Sequence, residues 1–183
     1  MTVVDETKKS MEAAIEHLKN ELKGIRTGRA NPSLVESVRV EVYGAQMRLK
    51  DLATISVPET RQLLLSPFDP KNVHAIAKAV DSANLHLRAA VDGAVVRVMV
   101  PQMDAGVRGE MVKLAKRKGE EAKVAIRNVR RDNNEKVRKQ KGAGEIPEDQ
   151  MKTAEKKIQE LTDKYCKMTD DLTQAKEKEI TAI

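Results

Sequence analysis

Arg127, Arg130 and Arg131 follow one another closely enough to share one side of a helix, at about 100° of rotation per residue. Guanidinium groups are planar forks that bind phosphate oxygens in pairs, so the chemistry this cluster suggests is recognition of a phosphate backbone. The surrounding stretch AIRNVRRDNNEKVRKQK, residues 125–141, carries seven cations against Asp132 and Glu135, and no aromatic residue. Stacking on single-stranded bases needs aromatic platforms. Structured RNA, gripped by its phosphates and its shape, is therefore the better substrate class.

Other chemistry is poorly supported. His17, His74 and His86 lie in three different segments without metal-ligand spacing, so they read as surface or packing residues and no metal is expected. Cys166 is alone, which excludes an intrachain disulfide, fits a reducing cytosol and reads as an inert, partly buried thiol. There is no glycine-rich phosphate loop and no catalytic constellation. The expectation is a protein that is not an enzyme and needs no cofactor, so any nucleotide energy it uses must come from a partner. No apolar run approaches about 18 residues, and the chain enters a charged periodic segment at once. Neither a membrane span nor a targeting segment is expected, and the location expected is the cytoplasm.

The elements that must position the arginines are long helices. Aromatic residues make up 2% of the chain and charged ones 34%, which suits exposed helices with narrow aliphatic seams. Met11, Ile15, Leu18, Leu22 and Ile25 form a heptad seam in residues 2–30. Thr2 and Asp5 resemble a capping box before it, and Asn31-Pro32 would end it. Met151, Ala154, Ile158, Leu161, Tyr165, Met168, Leu172 and Ala175 form another over residues 147–183. Between them, residues 105–141 show Met111, Leu114, Ala115, Ala122, Ala125, Ile126 and Val129, and Gly142-Ala143-Gly144 stops the helix. At about 1.5 Å per residue this second helix is ~55 Å long. Three such helices read as an antiparallel three-helix bundle, and because they satisfy one another's seams a monomer is expected.

The second helix holds the basic character of the protein. It carries 13 Lys and Arg against 5 Asp and Glu, a surplus of +8, while the whole chain is +6 and the remainder therefore −2. Lys113, Arg117, Lys123, Arg127, Arg130, Arg131 and Arg138 centre about 160° from the apolar seam. That phase relation argues against a disordered tail. A solvated helix face usually mixes signs at four-residue spacing, so a phosphate-binding face is favoured over a merely solvated one. A membrane surface would want bulky apolar residues beside the charges.

Residues 32–104 lose the helical period. VRVEVYG (38–44) alternates like a half-buried strand, TISV and RQLLLSPFD follow as strands, residues 70–83 have helical spacing, and residues 85–101 form two strands around Asp92-Gly93. The fold class is α+β. Residues 1–30 and 105–183 form the bundle arm, and a small β/α domain, 31–104, is inserted in it. Two proline-flanked crossings join them as hinges, Ala30-Asn31-Pro32 and Pro101-Gln102-Met103-Asp104.

Three stretches carry a resemblance: ELKGIRTGRANPSLVESVRVEVYG at the end of the first helix, LATISVPETRQLLLSPFD, and KLAKRKGEEAKVAIRNVRRDNNEKVRK on the basic helix. Together, in order and over nearly the whole chain, they resemble the bacterial ribosome recycling factor family. The resemblance implies an L-shaped protein of roughly tRNA dimensions. It implies a factor that enters the intersubunit space of the terminated ribosome and, with elongation factor G and GTP, splits the subunits so that mRNA and tRNA leave. It places the family's patch for large-subunit rRNA on Arg127, Arg130 and Arg131. It also places a hinge-proximal arginine on Arg29, either a structural clip or an RNA contact.

The chain departs from the family at PQMDAGVRGEMVK, residues 101–113. Asp104 can cap the helix there, but Gly106 and Gly109 weaken its first turns and Gly119 adds a third weak point. A general helical RNA-binding protein or chaperone is the rival reading, and a coiled-coil adaptor for an acidic protein is another. Neither needs a hinged second arm.

Overall fold

The computed structural model describes residues 2–182. They form two compact units, one of Met1–Ile25 with Gly109–Ile183 and one of Arg26–Arg108. The first is the helical bundle, built from α1 (Val3–Lys23), α4 (Ala105–Gly142, whose first turn belongs to the other unit) and α5 (Glu148–Thr181). The second holds β1 (Arg39–Val42), β2 (Ala45–Arg48), α2 (Leu49–Leu52), β3 (Ala53–Glu59), β4 (Gln62–Pro67), α3 (Val73–Ser82), β5 (Arg88–Asp92) and β6 (Val95–Met99).

In the bundle, α4 runs against α1 and α5. Lys118 near its start pairs with Glu21 at the end of α1, and Lys136 near its end pairs with Glu6. Lys116 meets Glu177 and Arg138 meets Glu155 on α5 in the same reversed order. The expected capping box opens α1: the Thr2 hydroxyl accepts from the Asp5 amide at 3.3 Å, and the Asp5 carboxylate accepts from the Thr2 amide at 3.0 Å. The α1 seam of Met11, Ile15, Leu18 and Leu22 is buried as expected. The helix itself stops at Lys23, short of residue 30. Gly24 ends it, and Gly28 then turns the chain at a φ of +76°, a conformation that suits glycine. Asn31-Pro32 instead starts a 3-10 turn, with the Asn31 side chain accepting from the Ser33 amide at 3.0 Å.

The other two seams are rotated from their expected positions. Ala125 of α4 is exposed, and the buried line is Ala115, Gly119, Ala122, Ile126, Asn133 and Val137. That moves the buried stripe by about 50° around the helix. On α5, Met168 and Ala175 are exposed, while Ile158, Thr162, Tyr165, Thr169 and Thr173 are buried. Hydropathy hides the threonines, yet each satisfies its hydroxyl on the carbonyl four residues back, at 2.8 to 2.9 Å. With their hydroxyls satisfied on their own helix, these threonines can pack inside the bundle at little cost. Gly119 is where the two shifts meet: a β-carbon there would collide with the Thr173 hydroxyl. It is a point of close helix approach and no weak point.

The small unit has two antiparallel sheets, a β1–β2 hairpin and a four-stranded sheet of order β3-β4-β6-β5. Val40, Leu49, Leu63, Leu65, Ile76, Val80, Val96 and Val98 form its core, between sheet and α3. The expected β5–β6 hairpin is present, with Gly93 at a φ of +61°. Strand β2 has no counterpart among the expected elements. It follows Tyr43-Gly44, whose φ angles of 54° and 74° make a type I′ turn in which tyrosine replaces the usual asparagine.

Both chain crossings are tied to the tip of the β3–β4 hairpin. The Ala30 amide donates to the Thr60 carbonyl at 2.7 Å, and the Val100 amide to the Arg61 carbonyl at 2.9 Å. Met103 is buried, and Pro101 and Gln102 are exposed. Asp104 caps α4 as expected, its carboxylate accepting from the Val107 amide at 2.8 Å.

The glycines of α4 give a paired stability prediction. Gly109 is exposed with open space around it, so Gly109→Ala should raise the melting temperature by about 2–4 °C, the effect of roughly 1 kcal/mol of helix propensity. Gly119→Ala should lower it by a similar amount, because overpacking costs about 1–3 kcal/mol. Thermal unfolding followed by circular dichroism checks both.

Candidate nucleic-acid interface

The rotation of α4 decides which of its cations are available. Its contact line is made of small residues, Ala115, Gly119 and Ala122, followed by Ile126, so the helix lies close to its neighbours. Met11, Ile15, Ile126 and Tyr165 close the core at this level, and the Tyr165 hydroxyl donates to the Glu12 carboxylate at 3.0 Å.

Lys123 and Arg130 lie on the flank next to the buried line, at about 100° per residue. The Lys123 side chain is 17% exposed, and its Nζ sits 2.8 Å from Asp170 and 2.7 Å from Glu120. The hydrogen bond to Asp170, then that to Glu120, holds its pKa above the ordinary lysine value. It is cationic throughout the physiological range, and the pair weakens only as pH rises through that raised value. Arg130 is half-buried and donates through Nη1 to the Gln159 side chain at 3.1 Å. Arg138 pairs with Glu155 at 2.7 Å, and Arg117 approaches Glu121 at 3.9 Å.

Arg127 and Arg131 stand on the outward side of the same helix. Both are exposed, and neither has an ion pair or a side-chain hydrogen bond among the described residues. Lys113 is exposed and unpaired in the same sense, one turn from Arg117 on the same face. The expected patch therefore divides. Arg127, Arg131 and Lys113 are open to a ligand, Arg117 is loosely held, and Lys123, Arg130 and Arg138 also bind α5. Lys116, Lys118 and Lys136, outside the expected patch or flanking it, join α4 to the other helices. Part of the +8 surplus thus serves packing against the acidic faces of α1 and α5.

Val124, 49% exposed, lies between Arg117, Arg127 and Arg131 on the helix surface. It is absent from the expected site; its signal in the sequence is an apolar residue out of phase with the seam. Exposed among arginines, it can pack on a ribose while the guanidinium groups hold phosphates. Arg29 is exposed in the irregular stretch after α1, and the structure gives it no ion pair or side-chain hydrogen bond among the described residues. The Cys166 thiol is pushed up in pKa, chiefly by burial, the reverse of an activated nucleophile. Among the described residues no cluster of three or more metal-ligating side chains occurs, and no helix is long and apolar enough to cross a membrane.

Comparison with known proteins gives a consistent result. The family model for ribosome recycling factor matches residues 18–181. The ribosome-recycling factor of Chlamydia caviae is 51% identical over 183 residues, covering all of both chains. That of Bacillus velezensis is 42% identical over 181 residues, covering 99% of this chain and 98% of its own. A solution structure of a ribosome recycling factor superposes with a TM-score of 0.78 at 42% identity, covering 99% of this chain and 96% of that one. A second match belongs to models for the T. thermophilus ribosome recycling factor and the E. coli elongation factor G bound to the E. coli post-termination complex. It gives a TM-score of 0.67 at 36% identity, covering 98% of this chain and 99% of that one.

The divided patch predicts a divided response to mutation. Lys123→Ala should lower the melting temperature by about 2–3 °C, since an ion-pair network of this kind contributes up to about 1 kcal/mol. Arg127→Ala should leave it within about 1 °C. Differential scanning calorimetry distinguishes the two; equal losses would mean that Arg127 is also a packing residue.

Proposed function

As the chain belongs to the ribosome recycling factor family, we propose that it clears the post-termination ribosome by docking α4 on large-subunit rRNA. Arg127, Arg131 and Lys113 carry the contact and Arg117 supplements it. Lys123 and Arg130 hold α4 at the rotation that points the others outward. Arg29 makes a separate contact from the small unit. The observation that carries this reading is the pair of exposed arginines, unpaired among the described residues, on a helix whose neighbouring cations are engaged with α1 and α5. A guanidinium left free on such a surface keeps all its donors for phosphate oxygens.

The chain supplies binding and leverage, and no catalysis. Elongation factor G and its GTP provide the energy, a partnership supported by the T. thermophilus relative's appearance with that factor on a post-termination complex. The bundle unit, residues 1–25 and 109–183, stays on the rRNA. The small unit turns about the two chain crossings, and the subunits part so that mRNA and tRNA leave. Because Ala30 and Val100 are fixed to the β3–β4 tip, bending concentrates in the stretches flanking them, residues 26–29 and 101–104. The protein acts as a cytoplasmic monomer, its helical seams satisfied within one chain.

A polysome-breakdown assay with elongation factor G and GTP tests the proposal. The chain should convert polysomes to free subunits and monosomes. Arg127→Gln with Arg131→Gln should raise the concentration needed by about tenfold or more, since losing two charge-assisted contacts exceeds about 1.4 kcal/mol. It should also reduce the slope of log affinity against log salt by about 1–2. Undiminished activity of the double variant would overturn the α4 contact.

A further inference from the structure

The small unit carries a second cationic face that the α4 interface does not use. In the β1–β2 hairpin, Arg39 stands directly opposite Arg48. Both are exposed, and their β-carbons are roughly 5 Å apart at such a position. Like charges directly across a hairpin repel, so the pairing is a cost to the folded chain. The register cannot slip to relieve it. Val38 and Leu49, the next residues beyond the pair, are both buried, and the Leu49 amide donates to the Val38 carbonyl at 2.8 Å. A shift of one residue would put these core side chains in water.

Neither arginine forms an ion pair among the described residues. Among the described residues the small unit makes a single ion pair, Arg97 with Asp92, which involves neither. Glu41 is the carboxylate on the same face, opposite Gln46, and among the described residues it pairs with no cation. Arg39 also lines a groove of about 390 Å³ between the hairpin and α3, with Glu41, Gln46, Ala75, Lys78, Ala79 and Ser82 on its walls. Lys78 is exposed and unpaired in the same sense.

We infer that Arg39 and Arg48, with Lys78 beside them, form a separate site for the phosphate backbone of double-stranded RNA. An anion between two guanidinium groups removes their repulsion and uses both forks. The strand residues of this face, Arg39, Arg48, Glu41 and Gln46, are all polar, and the exposed Tyr43 stands apart from them in the turn, where its hydroxyl donates to Asp69, so the arginine pair itself has no apolar anchor beside it for a protein partner. Tyr43 is the single aromatic of the hairpin, held at its turn by Asp69 and Asn72, and one ring is a poor platform for successive single-stranded bases. Preference for RNA over DNA follows from the proposed function. The anion site itself stands on the hairpin geometry alone.

The test uses the full chain labelled with 15N and a duplex RNA of about 16 base pairs, long enough to present two successive minor grooves. Titration should shift the signals of residues 39, 46, 48 and 78. Arg39→Gln or Arg48→Gln should lower RNA affinity about three- to tenfold and reduce the salt slope by about 1. Either should also leave the melting temperature unchanged or slightly higher, because a repulsion has been removed. Loss of affinity together with a fall in melting temperature would mark the arginines as structural and overturn the site. A raised melting temperature with unchanged affinity would do so too, leaving a tolerated repulsion only. Stronger shifts of the same residues with poly-glutamate than with RNA would replace the nucleic acid by an acidic protein. Repeating the titration in Arg127→Gln/Arg131→Gln protein separates the two interfaces. Hairpin shifts that persist there support this site whether or not the α4 contact holds.

Discussion

The close approach of α4 to α5 at Gly119 is the contact on which the rest of the bundle surface depends. A glycine there leaves room for the Thr173 hydroxyl, and a β-carbon would not. With Ala115 and Ala122 on the same line, α4 presents its smallest residues to its neighbours and its rotation is fixed by them. A rotation fixed by packing is also a decision about charge. It delivers Lys123 to Asp170 and Arg130 to Gln159, and it leaves Arg127 and Arg131 without partners among the described residues.

This division explains how one helix can carry a large positive surplus without repelling itself from the fold. Lys116, Lys118, Lys123, Lys136 and Arg138 each reach a carboxylate on α1 or α5. Exposed pairs of this kind contribute modestly one by one. Five of them spread along the helix still fix its register against both neighbours, which the aliphatic seam alone, poor in aromatics, specifies weakly. The charge that remains is concentrated on the outward face, where it is least costly to leave unpaired and most useful to a polyanion.

Much of this is legible in the residues. The three helices, the inserted β/α domain, the Asp92-Gly93 hairpin, the Thr2–Asp5 box and the Asp104 cap all follow from period and turn chemistry. The misses have physical causes. Hydropathy draws the α5 seam through Met168 and Ala175 because threonine counts as polar in a sequence, although Thr162, Thr169 and Thr173 consume their hydroxyls on their own helix. Gly119 looks like a defect because the partner that needs its missing side chain, Thr173, is far away in the chain. Periodicity carries α1 on to the proline because the requirement for positive φ at Gly28 leaves no periodic trace. At the interface, the positions of the cations are readable but their availability is not. Whether Lys123 or Arg127 is free depends on where Asp170 lies, and that is a tertiary fact.

The most direct measurement is a cryo-electron microscopy structure of this chain on a post-termination ribosome, at a resolution that shows side chains. The account predicts the Arg127 and Arg131 guanidinium groups within about 3 Å of rRNA phosphate oxygens, with Lys123 still bound to Asp170. A bundle docked through another face, with both arginines in open solvent, would contradict it.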